Sequence, residues 1–149
     1  MDGLSGAASV IAVISLAVQL GSGAHTLYQF LETISDAPAE LHRLQSTLSQ
    51  IKAIAFGIQN ALEYQRRIHG DGVPVAGDIL NSLVSCEERV QQITDIVNKA
   101  DGTHRGLTGV SRKWARFKVA LKKERVQELE QQLGNSLQVL NVLMTTNLM

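Results

Sequence analysis

The sequence predicts an all-α protein: an antiparallel helical bundle, four-helix-bundle-like, with an additional apolar helix at its N-terminus. Three observations lead there. Apolar residues recur at alternating steps of three and four along three long stretches, the period of a helix with one buried face. The composition is rich in Leu, Ile, Val, Ala, Gln and Glu, with two prolines and 4% aromatics, which favours long helices over sheet. Clusters of breaking residues, "SDAP", "HGDGVP" and "ADGTHRG", separate the stretches.

The first helix is expected over about Ser5 to Leu20, after which "GSG" at Gly21–Gly23 loosens or kinks the backbone. A second apolar turn follows with Leu27, Phe30, Leu31 and Ile34. Ser35 or Asp36 can cap the next helix, and Pro38 suits its first turn. Leu41, Leu44, Leu48, Ile51, Ala55, Ile58 and Leu62 then form one stripe, lasting to about Arg67. After the breakers at 69–74, a second stripe runs through Ile79, Leu83, Cys86, Val90, Ile93 and Val97. Past the next break, Trp114, Phe117 and Leu121 sit together, and Val126, Leu129, Leu133, Leu137, Leu140 and Met144 continue toward the C-terminus. Short connections between such helices turn each against its predecessor. A chain of 149 residues accommodates this as one domain over 1–149, with 1–34 as the apolar N-terminal segment and 36–149 as the bundle helices.

Composition also excludes. At 44% apolar and 19% charged residues the chain is not a disordered tail. The lone cysteine, Cys86, precludes an internal disulfide and fits a reducing compartment; on the apolar stripe it reads as a buried structural thiol. No phosphate-binding glycine loop, dinucleotide fingerprint, nucleophile elbow or metalloprotease helix is present. His25, His42, His69 and His104 lie far apart with no i, i+4 pair, so no metal site is expected. Glu87 and Glu88 are adjacent, point apart on a helix, and read as a solvated face. The expectation is a protein that is not an enzyme and needs no cofactor or metal.

Two features carry the functional reading. From Gly3 to Leu31 the chain has no acidic residue, lysine or arginine, only the titratable His25. A secretory signal would need a positive n-region, yet no Lys or Arg precedes Arg43. Seventeen residues from Leu4 to Leu20 span about 26 Å as a helix, short of the roughly 30 Å hydrocarbon core. Leu4, Val10, Ile11, Val13, Ile14, Leu16, Val18 and Leu20 would each favour insertion by roughly 0.3–0.6 kcal/mol. Ser5, Gly6, Ser9, Ser15 and Gln19 oppose them, so one copy sits near break-even. Ser5, Gly6, Ala8, Ser9 and Ala12 offer small-residue surfaces for close helix packing, as in the pairs Ser5/Ser9 and Ala8/Ala12. In water such a segment must lie within the bundle or be covered by a partner.

The second feature is charge layout. The total is zero, but residues 1–104 hold eleven acids and six bases (−5), residues 105–125 eight bases and one acid (+7), and the remainder two acids (−2). On a helix, Arg112, Arg116 and Lys123 fall opposite Trp114, Phe117 and Leu121. With Lys113, Lys118 and Lys122 they suit an anionic membrane surface. A nucleic-acid backbone would also attract them, but scarce aromatics and the lack of any reader motif argue against that partner.

With these residues in view, "MDGLSGAASVIAVISLAVQL" and "LETISDAPAELHRLQSTLSQIKAIAFGIQNAL" resemble the start of fungal HeLo-like domains, and "RKWARFKVALKKERVQELEQQLGNSLQVLNVL" resembles their closing helix. Such domains stand at the N-termini of fungal STAND (NLR-like) receptors and related cell-death proteins. The resemblance implies a helical bundle that executes regulated cell death at the plasma membrane. It implies a domain of a longer protein, cytoplasmic at rest, clustered by an NLR-like or amyloid-motif protein acting upstream. The clustered domain self-associates, its N-terminal helix enters the bilayer, and anionic lipids are its partners. The competing reading is a helical adaptor that binds only other proteins and keeps residues 4–20 as permanent core.

Overall fold

The computed structural model describes residues 7–33, 39–72, 74–103 and 123–148. They form β1 (Ala7–Ser9), α1 (Val10–Glu32), α2 (Ala39–His69), β2 (Pro74–Ala76), α3 (Gly77–Thr103) and α4 (Lys123–Leu148). The all-α bundle with an apolar first helix is therefore what the chain builds, and its stripes are its core. Every stripe residue expected on α2 (Leu41 to Leu62) and on α3 (Ile79 to Val97) is buried. On α4, Leu129, Leu133 and Leu140 are buried, with Leu137 and Met144 packed against the core from its edge.

The helices occupy the corners of a square. Helix α1 packs on α2 and α3, and α4 packs on the same two, while α1 and α4 stand on one diagonal and α2 and α3 on the other. Each described helix runs opposite to the one before it. Neighbours across the square do not all do so. Helices α1 and α3 both start at the paired strands and meet again further along, Gly23 against Val90, while Gly57 of α2 meets Met144 of α4 beyond the groove that Gln50 and Ala53 share with Gly134 and Leu137. The pairs α1/α3 and α2/α4 thus run parallel.

Two strands of three residues make this diagonal step possible. The chain leaving α2 turns at Gly70, whose φ of 82° suits a residue without a side chain, and its N–H closes on the Arg66 carbonyl at 2.8 Å. Arg66 and Asp71 pair across the turn at 2.6 Å. The chain then crosses the end of α1, where β2 pairs antiparallel with β1, Ala7 opposite Ala76, Ala8 opposite Val75 and Ser9 opposite Pro74. Pro74, which has no N–H to donate, sits at the end of the ladder. Val75 is buried beneath it.

This corrects the expected start of the first helix. Ala7 to Ser9 are extended, Ser9 is the N-cap with ψ 133°, and α1 begins at Val10. It also corrects the expected kink: α1 runs unbroken through Gly21–Gly23 to Glu32. The reason is tertiary contact. A Cβ on Gly21 would lie 3.5 Å from the Ala55 Cβ, and one on Gly23 would lie 3.6 Å from Val90. Packing on two neighbours outweighs the roughly 1 kcal/mol that each glycine costs a helix.

Leu20 is fully buried at the centre of α1. Leu20→Ala should cost about 3 kcal/mol, read as a fall in Tm of roughly 6–12 °C, because it leaves a cavity in the core cluster. A fall of only a degree or two would mean that α1 is not part of the cooperative core.

Candidate functional site

Helix α1 is the candidate site, and its two sides differ. Val10, Val13, Ile14, Ala17, Leu20, Ala24, Leu27 and Leu31 are buried against α2 and α3. Ile11, Ala12, Ser15, Val18, Gln19, Ser22, Thr26 and Gln29 face outward. No Asp, Glu, Lys or Arg occurs from Val10 to Leu31, so even the outer stripe is uncharged. Ile11 and Val18 stand 47% and 45% exposed on it.

Grooves flank this stripe. On the α2 side a depression of about 210 Å³ lies over Ala17 and Gly21, edged by Val18, Ser22 and Phe56. Phe56 is 61% exposed. At one end of the groove Lys52 donates from Nζ to Nδ1 of His25, 3.0 Å away. On the α3 side a larger groove of about 460 Å³ is lined by Gln19, Ser22, Thr26, Gln91 and Thr94, with Glu87 at its floor.

Glu87 departs from the solvated face expected for it, while Glu88 keeps to that reading and is exposed. The Glu87 carboxylate lies against the α1 backbone, its oxygens 3.9 and 4.0 Å from where a Gly23 Cβ would be. Oε2 is buried and has no hydrogen-bond partner among the described residues. Burial pushes its carboxyl above the ordinary range. Cys86 beside it is buried as expected, its thiol pushed up to about 12 by burial first and by the Glu87 charge second. The spacing held a signal for Glu87: it stands four residues after Leu83 and three before Val90, flanking the buried stripe.

A raised carboxyl means that the folded state binds its proton more tightly than the unfolded chain does. Stability is therefore lost as pH rises from the unfolded value to the folded one, and the ionised group weighs on the fold at neutral pH. Glu87→Gln is expected to raise Tm at pH 7 and to remove part of the gain the parent shows between neutral and mildly acidic pH. Melting curves of both proteins across that range, with His25 common to the two, decide it; parallel curves would refute it.

The sequence-predicted site residues fall into three groups. Val10, Val13, Ile14 and Leu20 are buried, Leu16 is half-buried, and Ile11 and Val18 are exposed, all on one helix. Ala8 and Ser9 belong to β1 while Ala12 is exposed on α1, so the expected small-residue helix pairs do not form one face: the ladder with β2 holds residues 7–9 extended. Leu4, Ser5, Gly6, Arg112, Lys113, Arg116, Lys118 and Lys122 lie outside the described residues, as do Trp114, Phe117 and Leu121. Lys123 opens α4, and its side chain is outside them too. Among the described residues no group of three or more His, Cys, Asp or Glu side chains is placed to hold a metal ion.

By length and composition α1 can cross a membrane. Its 23 residues reach about 35 Å, more than the roughly 30 Å hydrocarbon core, where the shorter helix expected from the sequence fell below it. Core helices of soluble proteins, which are mostly buried, pass the same test; α1 puts one face into the core, and about a third of its most apolar stretch is buried.

Residues 7–140 match the family described as "SesA: N-terminal domain on NACHT_NTPase and P-loop NTPases". No curated protein and no solved structure matches.

Proposed function

The chain belongs to the SesA family of N-terminal domains on NACHT and P-loop NTPases, and from that premise we propose that it is the membrane-attacking effector domain of such a receptor. At rest α1 is docked and the domain is cytoplasmic. When the attached NTPase or an amyloid-motif partner clusters several copies, α1 leaves the bundle and enters the plasma membrane, which it permeabilises. The domain works without catalysis, cofactor or metal. The resemblance to HeLo-like domains supports the reading from the side of sequence, and the shared place on NLR-like NTPases supports it from the side of context.

One observation carries it: α1 is both a core helix and a membrane-length helix. Its buried face includes six large aliphatic side chains, Val10, Val13, Ile14, Leu20, Leu27 and Leu31, worth roughly 1.5–3 kcal/mol each when removed from water. Water cannot replace that environment, but hydrocarbon can. The uncharged outer face then adds no penalty for a stranded charge. What release exposes on α2 and α3 requires a new cover, which neighbouring copies in a cluster would supply.

The test is dye release from vesicles containing phosphatidylserine, with the full chain clustered through a fused oligomerising tag. Release that depends on clustering is expected. Intact vesicles at full binding would leave the adaptor reading, in which α1 is permanent core.

The basic run supplies recruitment in this scheme. Each Lys or Arg near an anionic surface is worth about 1 kcal/mol. Exchanging Arg112, Arg116 and Lys123 for Gln should therefore weaken sedimentation with anionic vesicles by roughly a hundredfold, leaving helicity and Tm unchanged. Equal sedimentation of mutant and parent at low salt would remove lipid contact from the run.

A further inference from the structure

We infer that two resting copies pair face to face through α1 and α2, with each Phe56 seated in the groove over Ala17 and Gly21 of the other. The inference concerns the soluble protein and is independent of the membrane proposal.

Knob and hole lie side by side on this face. Phe56 projects 61% exposed from the rim of a mostly apolar depression floored by alanine and glycine. A two-fold axis brings a patch against its own copy, so a knob beside a hole fills both holes at once. The ordering of residues along α2 matches that symmetry. Lys52, Phe56, Gln59 and Glu63 form one stripe, at steps of four, three and four. Lys52 stands four residues before Phe56 and Glu63 four after Gln59, so an axis between Phe56 and Gln59 sets each Lys52 opposite the other copy's Glu63. Gln59 already donates to Glu63 Oε1 at 3.3 Å, which turns that carboxylate along the stripe. The outer face of α1 brings no acidic residue, lysine or arginine from Val10 to Leu31, so nothing on it repels its copy.

Size agrees as well. A face about 35 Å long and two helices, about 20 Å, wide offers on the order of 700 Å² per copy, close to the roughly 800 Å² per partner of a standard stable interface. The exposed Val139 and Val142 on α4 offer no aromatic knob, and the adjoining α2/α4 groove mixes Ala53, Ile54 and Leu137 with the amides of Gln50, Gln138 and Asn141.

Sedimentation velocity of the full chain, in a dilution series up to about 100 µM, tests this. The parent should dimerise. Phe56→Ser should weaken the dimer at least tenfold with its far-ultraviolet dichroism unchanged, and Val139→Ser with Val142→Ser should leave it intact. Lys52→Glu should weaken it about tenfold by setting two carboxylates at each rim, and adding Glu63→Lys should restore it. A monomeric parent would overturn the inference. So would a Phe56→Ser dimer as tight as the parent's, or a charge exchange that restores nothing. No membrane is present in these measurements, so their failure leaves the membrane proposal standing, and the reverse holds.

Discussion

Joining α1 to α2 by a disulfide between Gly21→Cys and Ala55→Cys is expected to abolish dye release in the oxidised protein and to restore it fully on reduction. The geometry suits the bond. A Cβ at position 21 lies 3.5 Å from the Ala55 Cβ, at the short end of the 3.5–4.5 Å that disulfides span. Because the bond closes the α1–α2 connection into a loop, it should add about 4 kcal/mol to the resting fold and raise Tm accordingly. Cys86 will not compete for the new thiols. It is buried, and with its thiol pushed up to about 12 it carries almost no thiolate at neutral pH. The locked protein keeps the basic run of the parent, so vesicle binding should persist while permeabilisation stops. Equal dye release before and after reduction would show that α1 stays docked throughout and that the membrane is breached, if at all, by another part of the chain.

Val18→Asp is expected to leave the bundle folded and to eliminate permeabilisation. Val18 is 45% exposed on the outer stripe, so the change should alter stability by no more than about 1 kcal/mol, a small shift in Tm. In the bilayer the same carboxylate lies well inside the apolar span of α1 and adds roughly 2.5–3.5 kcal/mol, as much as several aliphatic residues contribute to insertion. Ile11, near the centre of the helix the sequence predicts, is the weaker site. With α1 beginning at Val10, position 11 falls at the membrane interface, where a charge is tolerated. Val18→Asp protein that melts near the parent temperature yet releases dye normally would exclude insertion of this helix.

The stripes were legible because burial repeats. Ile51, Ala55 and Ile58 on α2, or Val90, Ile93 and Val97 on α3, are spaced at the helical period and all are buried. The unbroken run of α1 was not legible, because Gly21–Ser22–Gly23 is a breaker by local propensity and a contact surface only once Ala55 and Val90 are beside it. The strands were illegible for a different reason. Three residues, Ala7 to Ser9, are too few to show an alternation, and their partner lies beyond two helices. Within the candidate site, the apolar character of α1 could be read directly, but which of its residues face outward could not. A helix apolar on nearly every side has no preferred face until neighbours choose one. Phe56 gives no signal in the sequence, since a lone aromatic between buried positions has no periodic signature. The membership in an NTPase-linked family agrees with the receptor context that the wording of residues 1–20, 31–62 and 112–143 suggests.

The crossing of the chain over the end of α1 fixes when that helix can find shelter during synthesis. Its neighbours on α3, Glu87 and Val90, follow Gly23 by more than sixty residues, and β1 waits just as long for β2. At 5–20 residues per second, a ribosome needs roughly 3–13 s to deliver them. Helix α2 arrives first and covers one side of α1; the side turned toward α3 stays wet until the second half of the chain emerges. Each newborn molecule therefore passes through an interval of seconds in which its most apolar segment is half-sheathed, before the fold that covers its other side exists.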